Sequence, residues 1–113
     1  DPEIRVVVVT GAGDKAFVSG ADISEFEKAR NTPEQVAYYD KIGEAANARL
    51  VKCSKPTIAR IRGYCIGGGL AVSLNCDIRI ASDNSKFGVP AARLGLGYRA
   101  SGLKILTDLV GPS

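Results

Sequence analysis

The sequence predicts an α/β fold in which parallel strands alternate with helices. Two apolar runs, Val6–Val9 and Thr57–Ile61, have the composition of buried strands, and each leads into a glycine-rich turn. Two other segments, 33–52 and 101–110, carry apolar residues at helical spacing. Strands separated by helical connections pair in parallel, because the connection returns the chain to the same end of the sheet.

Composition limits the classes of protein to consider. The 113 residues suffice for one domain with a modest core, and the net charge of +3 is small. Basic residues are scattered among acids, so no nucleic-acid partner is predicted. No apolar run could span a bilayer, so no membrane partner is predicted either. Three cysteines without a CxxC pair favour a reducing, cytoplasmic location.

The chain contains no histidine. Within this chain that excludes Ser-His and Cys-His catalysis, His-ligated zinc and a histidine general base. No metal is predicted. Because the first residues lead into a strand without a start methionine, we expect an excised or processed segment.

The N-terminal elements begin with Val6–Val9, whose continuous apolar character predicts a strand buried on both faces. The turn that follows, 10–14, contains two glycines but lacks the third glycine of a dinucleotide-binding fingerprint, so a Rossmann site is not predicted. A short strand over 15–18 precedes a second glycine turn at Gly20, and Ser24 can cap a helix.

The next helix is predicted to begin with Thr32 as N-cap and Pro33 at the first helical position, and to end near Lys52. An apolar stripe at helical spacing predicts its core-facing side: Val36, Tyr39, Ile42, Ala46 and Leu50. Lys55-Pro56 ends this region and starts the next strand.

The stretch Gly63–Ala71 links strand Thr57–Ile61 to a helix of small residues. Three consecutive glycines at 67–69 permit close backbone approach, and a helix start offers free N–H groups to a phosphate or an oxyanion. A tight packing turn is the alternative for such a motif taken alone.

The C-terminal third is predicted to contain a strand, a turn with a short extended piece, a glycine-broken loop and a final helix. These are Cys76–Ser82, Asn84–Pro90, Ala91–Arg99 and Ser101–Val110, the last closed by Gly111-Pro112.

Together these segments resemble the crotonase (enoyl-CoA hydratase/isomerase) superfamily, in the order and spacing of its motifs. The matching stretches are VVVTGAG at 7–13, FVSGADI at 17–23, KP at 55–56, GYCIGGG at 63–69, CDIRIAS at 76–82 and KFG at 86–88. The resemblance implies a spiral of ββα units, assembled as a homotrimer or homohexamer. It also implies that residues 1–113 are a central crotonase-like core that lacks the family's N-terminal hairpin and C-terminal helices.

The resemblance further implies two catalytic backbone donors, the amides of Ala21 and Gly68, which hydrogen-bond the oxygen of an acyl-CoA thioester. The neighbouring segment would line the path of the CoA moiety, through Val18, Gly20, Ala21, Asp22, Ile23, Gly67 and Gly68. No cofactor beyond this CoA moiety is implied.

The chain departs from the family at two positions, because the family's two catalytic glutamates correspond here to Ala71 and Ala91. Neither alanine can transfer a proton, so ordinary hydration by that route is not expected. Tyr98, in a Leu-Gly-x-x-Tyr pattern, resembles the methylmalonyl-CoA decarboxylase branch, where decarboxylation needs an enolate sink and no strong base. Tyr98 as a packing residue is the alternative.

Three function hypotheses therefore stay open: an acyl-CoA lyase or isomerase, a decarboxylase-like lyase that uses Tyr98, and an acyl-CoA-binding or assembly protein without catalysis. Three arginines are candidate ligands for a carboxylate or for CoA phosphates, or else solvated: Arg62, Arg93 and Arg99. Glu44 and most other acids are expected to be solvated, Asp77 to make structural hydrogen bonds, and Cys65 to fill apolar space.

Overall fold

Two three-stranded parallel sheets form the framework of the molecule in the computed structural model, which describes residues 1–19, 32–95, 97 and 99–112. The first sheet has the strand order β1-β3-β5 and the second β2-β4-β6. The strands are β1 (Val7–Thr10), β2 (Ala16–Val18), β3 (Thr57–Ile61), β4 (Tyr64–Ile66), β5 (Ile78–Ala81) and β6 (Lys86–Gly88). The helices are α1 (Pro33–Val51), α2 (Gly68–Leu74) and α3 (Ala100–Val110), with a 3-10 helix at Pro90–Leu94.

The chain crosses from the first sheet to the second in each of three strand pairs: β1 to β2, β3 to β4, and β5 to β6. A helix follows β4, and the 3-10 helix and α3 follow β6. The arrangement is a spiral of ββα units, which confirms the predicted α/β class and the parallel pairing.

Strand β4 was not predicted, since Tyr64–Ile66 was assigned to the glycine turn. It has only three residues, yet it pairs with β2 on one side and β6 on the other. The chain crosses into β4 at Gly63, which must be glycine for two reasons. Its φ is 80°, and an added Cβ would lie 2.1 Å from the Lys15 carbonyl oxygen. Such a short strand is fixed by its neighbours, and its own sequence carries little signal.

The buried core lies where the two sheets meet α2. Its members are apolar side chains from β2, β3, β4 and α2, together with the residue that precedes Asp77: Phe17, Ala59, Ile61, Cys65, Leu70 and Cys76. The three cysteines are free thiols, and Cys65 is fully buried, as its predicted role as an apolar filler requires.

Asp77 anchors the start of β5 to the start of β3. Its Oδ2 accepts hydrogen bonds from the Thr57 N–H at 2.8 Å and the Thr57 hydroxyl at 3.1 Å. The Asp77 N–H in turn donates to the Thr57 carbonyl oxygen at 3.0 Å. Thr57 is 1% exposed, so this exchange satisfies polar groups that water cannot reach. The predicted structural role of Asp77 is confirmed.

The prediction that the first strand is buried on both faces is wrong for the described chain. Val7 and Val9 turn toward the core side, whereas Val8 is 53% exposed. Its neighbours on the same face of the sheet, Ile78 and Ile80, are also exposed. Helix residues such as Leu50 and Leu106 pack against the core cluster that contains Ala59 and that Val9 contacts, and the continuous valine run does not reveal which face is covered.

Helix α1 begins as predicted, because the Thr32 hydroxyl accepts from the Gln35 N–H at 3.1 Å and Pro33 follows it. Its predicted core-facing stripe is only partly confirmed. Val36, Tyr39 and Leu50 are half-buried and Leu50 packs against the core, whereas Ile42 is 52% exposed and Ala46 is exposed too. The helix contacts α2 through a polar pair, in which Asn75 Nδ2 donates to Asn47 Oδ1 at 2.9 Å. In the middle of the helix, the inward positions are therefore Gly43 and Asn47, each one residue after the predicted Ile42 and Ala46.

The C-terminal predictions are confirmed. One short 3-10 helix lies in the predicted loop, and α3 closes at Gly111, whose φ is 89°. None of the helices in the described ranges has the length and apolar character needed to cross a membrane.

Candidate active site

The second sheet brings three chain segments to one edge. Its strands β2, β4 and β6 are parallel, so the residues that follow their carboxyl ends lie side by side. These residues are Ser19 after β2, the Gly67–Gly69 turn after β4, and Val89–Ala91 after β6. Ligands of α/β sheets bind at the carboxyl edge of the strands, which makes this edge the candidate site.

The three glycines of the turn meet three different requirements. Gly67 has φ of 59°, and its N–H donates to the Gly88 carbonyl oxygen at 2.8 Å, which ties the turn to β6. Gly69 packs on β2 so closely that an added Cβ would lie 2.3 Å from the Val18 carbonyl oxygen. Gly68 is exposed, and a Cβ there would meet no atom within 4 Å.

Gly68 is thus an exposed residue at the start of α2, and a side chain there would meet open space. Among the described residues, no hydrogen-bond acceptor is found for its N–H. Because α2 has only seven residues, we attribute its donor capacity to the free N–H group and not to a helix dipole.

Other predicted site residues fall partly outside the described part of the chain. Val18, Gly67 and Gly68 are brought together at the edge, since Val18 contacts Gly69 directly. Gly20, Ala21, Asp22, Ile23 and Tyr98 lie outside the described residues.

A cleft of about 680 Å³ opens between α1, the later part of α2, and the start of α3 with the residues that lead into it. Ala71, one helical turn after Gly68, lines one wall of the cleft, and Asp40, Glu44 and Arg99 also line it. Ala91 is not among the lining residues; it lies in the 3-10 helix after β6.

Arg99 joins the two acids in the cleft wall. Its Nη2 lies 3.2 Å from Asp40 Oδ2, and its Nη1 contacts Glu44 Oε1. The Glu44 side chain is 63% exposed, as expected of a solvated helix charge, and Arg99 has carboxylate partners within the protein. The sequence signal that was missed is the i, i+4 spacing of two acids on the inward face of α1.

The other two candidate arginines lie elsewhere. Arg62 precedes β4, at the amino end of the second sheet, and its Nη1 lies 2.8 Å from Asp14 Oδ1. Arg93 is an exposed residue of the 3-10 helix. Within the described ranges, no three His, Cys, Asp or Glu side chains come together as a metal site requires.

The cysteines near the turn are unsuited to act as nucleophiles. Burial raises the pKa of the Cys65 thiol above its ordinary value of 9.0, and a hydrogen bond with Ser73 offsets this only in part. Burial raises the pKa of the Cys76 thiol in the same way. Both thiols stay protonated at neutral pH.

The two-sheet ββα spiral with a glycine turn at the carboxyl edge defines a protein of the crotonase fold. A family model described as "Enoyl-CoA hydratase/isomerase" matches residues 1–113. The chain belongs to the enoyl-CoA hydratase/isomerase family.

Individual relatives agree with this assignment. A short-chain-enoyl-CoA hydratase of Clostridium acetobutylicum is 44% identical over 111 residues, which is 98% of this chain and 42% of that protein. A carnitinyl-CoA dehydratase of Citrobacter koseri is 34% identical over 113 residues, again 42% of that protein. The chain therefore spans less than half the length of these relatives.

Solved structures show the same fold. An enoyl-CoA hydratase/carnithine racemase from Magnetospirillum magneticum superposes with a TM-score of 0.89 at 40% identity, over 99% of this chain and 42% of that one. An enoyl-CoA hydratase from Bacillus anthracis gives 0.89 at 35% identity, over 100% of this chain and 43% of that one.

Proposed function

We propose that this chain carries the thioester-binding core of an acyl-CoA enzyme that stabilises a thioester enolate. The observation that supports the proposal is Gly68, an exposed residue whose N–H has no acceptor among the described residues, while its neighbours Gly67 and Gly69 hold the turn against β6 and β2. A donor fixed in this way is ready for the negative charge that develops on a thioester oxygen.

The second donor in this proposal is the Ala21 N–H, and the CoA moiety runs along Val18 and residues 20–23. In such a site, loss of one donor costs about 2.7–4 kcal/mol of transition-state stabilisation. The relatives named as a hydratase and a dehydratase have CoA thioesters in their names, which supports the substrate class.

Which reaction follows enolate formation is a separate part of the proposal. We favour a lyase or isomerase reaction over hydration by two glutamates, because positions 71 and 91 are alanines. A decarboxylase-like reaction that uses Tyr98, and acyl-CoA binding without catalysis, are the alternatives.

We also propose that the whole protein assembles as a homotrimer or homohexamer in a reducing compartment such as the cytoplasm. The three free thiols are consistent with a reducing compartment.

The test incubates the full-length protein with crotonyl-CoA and methylmalonyl-CoA in parallel and follows the products by mass spectrometry. Addition of water to crotonyl-CoA, or migration of its double bond, would support the enzyme proposal. Loss of carbon dioxide from methylmalonyl-CoA that disappears in Tyr98→Phe would favour the decarboxylase alternative. Binding of both thioesters without turnover would favour the binding protein, and absence of binding would contradict the proposal.

A further inference from the structure

We propose that Asp40, held with Glu44 by Arg99, takes and returns the proton at C2 of the bound acyl thioester. The proposal rests on the function proposed above and assigns the proton-transfer group that Ala71 and Ala91 cannot provide. The sequence offers no carboxylate between Ala45 and Cys76 or between Asn84 and Thr107, so the group must come from another element.

The first step of the argument is the orientation of α1. Asp40, Gly43 and Asn47 follow one another at helical spacing, and all three are half-buried on the side that lines the cleft. The hydrogen bond between Asn47 and Asn75 fixes this side of α1 against the end of α2. Asp40 therefore lies on the side of α1 that lines the cleft, opposite Ala71, and its side chain is 37% exposed.

The second step concerns the opposite wall. Gly68 and Ala71 are three residues apart on α2, so they share a face and lie about 4.5 Å apart along the helix axis. An acyl group whose thioester oxygen meets the Gly68 N–H is thereby directed toward the cleft that Ala71 lines. The alanine methyl leaves room there for a substrate carbon to approach a carboxylate from the other wall.

The third step is the charge of the cluster. Arg99 contacts both acids, so two carboxylates share one guanidinium and one negative charge is left uncompensated. The arginine restricts the position of the carboxylates, which a proton-transfer group needs, and it does not neutralise both of them.

The proposed step is a reversible proton transfer. The C2–H bond breaks and the proton passes to the Asp40 carboxylate, while the bonding electron pair forms the enolate, with its negative charge on the thioester oxygen at the Gly68 N–H. Return of the proton from Asp40 to carbon restores the thioester and the carboxylate. No oxidant, reductant or second substrate is required.

Deuterium exchange at C2 of butyryl-CoA tests this step alone, since it needs neither hydration nor decarboxylation. Full-length wild-type protein, Asp40→Asn and Glu44→Gln are incubated with butyryl-CoA in D₂O, and the mass gain of the acyl group is followed. Asp108→Asn is the matched control, because Asp108 is an exposed acid on α3 that pairs with Lys104 at 2.5 Å outside the cleft.

We expect exchange by wild type and Asp108→Asn, and a loss of at least about 100-fold in Asp40→Asn with the Kd for butyryl-CoA unchanged. Glu44→Gln should show a smaller loss, because Asp40 remains and becomes the sole carboxylate partner of Arg99 in the cleft. Thermal melts of all variants check that folding is intact.

Exchange at the wild-type rate in a variant that carries both substitutions would overturn this inference and leave the proposed function standing. Wild-type protein that binds butyryl-CoA without exchanging its C2 proton would also overturn it. Failure of the wild type to bind butyryl-CoA would instead contradict the proposed function.

Discussion

The amino end of the first sheet and the carboxyl end of the second sheet differ in how their backbone hydrogen-bonding groups are used. At the amino end of the first sheet, Asp77 and Thr57 exchange hydrogen bonds that satisfy the N–H, the hydroxyl and the carbonyl oxygen of buried Thr57. At the carboxyl end of the second sheet, glycines hold the turn tightly on both sides, and the Gly68 N–H has no acceptor among the described residues. If the proposed function is right, stability and ligand binding depend on different ends of neighbouring strands, and substitutions should separate them.

The largest effect on stability is expected at Gly69, the most tightly packed residue of the turn after β4. Gly69→Ala would place a methyl 2.3 Å from the Val18 carbonyl oxygen, so we expect a loss of about 3 kcal/mol in the free energy of unfolding. Gly68→Ala is the matched control, because its Cβ meets nothing within 4 Å. It should leave stability within about 0.5 kcal/mol of wild type, while its methyl hinders acyl-CoA binding. Urea titrations and binding measurements on both variants separate the two roles, and equal destabilisation by both would contradict the distinction.

A smaller loss of stability is expected at the amino end of the first sheet, where Asp77 binds Thr57. Asp77→Ala removes the acceptor of the buried Thr57 N–H and hydroxyl, so the free energy of unfolding should fall by about 2 kcal/mol. Asp83→Ala, an exposed acid in the turn after β5, should change it by less than about 0.5 kcal/mol. Chemical denaturation measures both. Equal stability of the two variants would show that water replaces the Asp77 carboxylate.

The smallest effect on stability is expected from a rise in pH. Burial raises the pKa of the Cys65 and Cys76 thiols above 9.0, so the folded state keeps them neutral where the unfolded chain would ionise them. Their contribution to stability is therefore complete below about pH 9 and is lost as the pH rises further. In native protein at pH 8, a thiol reagent should modify exposed Cys53 first. Modification of Cys65 at the same rate would contradict its burial.

The sequence predicts those features of the fold that depend on neighbouring residues. The Thr32 cap, the proline at the start of α1 and the glycine at the end of α3 act within a few residues, and all three appear in the structure. The parallel pairing of strands also followed from the alternation of elements. Three-residue β4 did not, because its pairing with distant strands defines it.

The cleft wall was beyond prediction for a related reason. The apolar residues of α1 indicated a face that includes Tyr39 and Leu50, but in the middle of the helix the polar neighbours Asp40 and Asn47 also line the cleft. Arg99 is 59 residues from Asp40 in sequence, so nothing local indicates their contact. Motif matching located the glycine turn, whereas the acids opposite it became visible only with the fold.

The crossing at Gly63 has a consequence for how the chain tolerates changes in length. Arg62 and Gly63 are the only residues between β3 and β4, whereas a 19-residue helix lies between β2 and β3. An insertion near α1 can bulge outward without moving any strand. An insertion at Gly63 would slide β4 and displace Gly67–Gly69 relative to both Val18 and Gly88. The length of this short crossing therefore fixes the position of the Gly67–Gly69 turn. Insertions and deletions among homologous chains should concentrate in the helical connections.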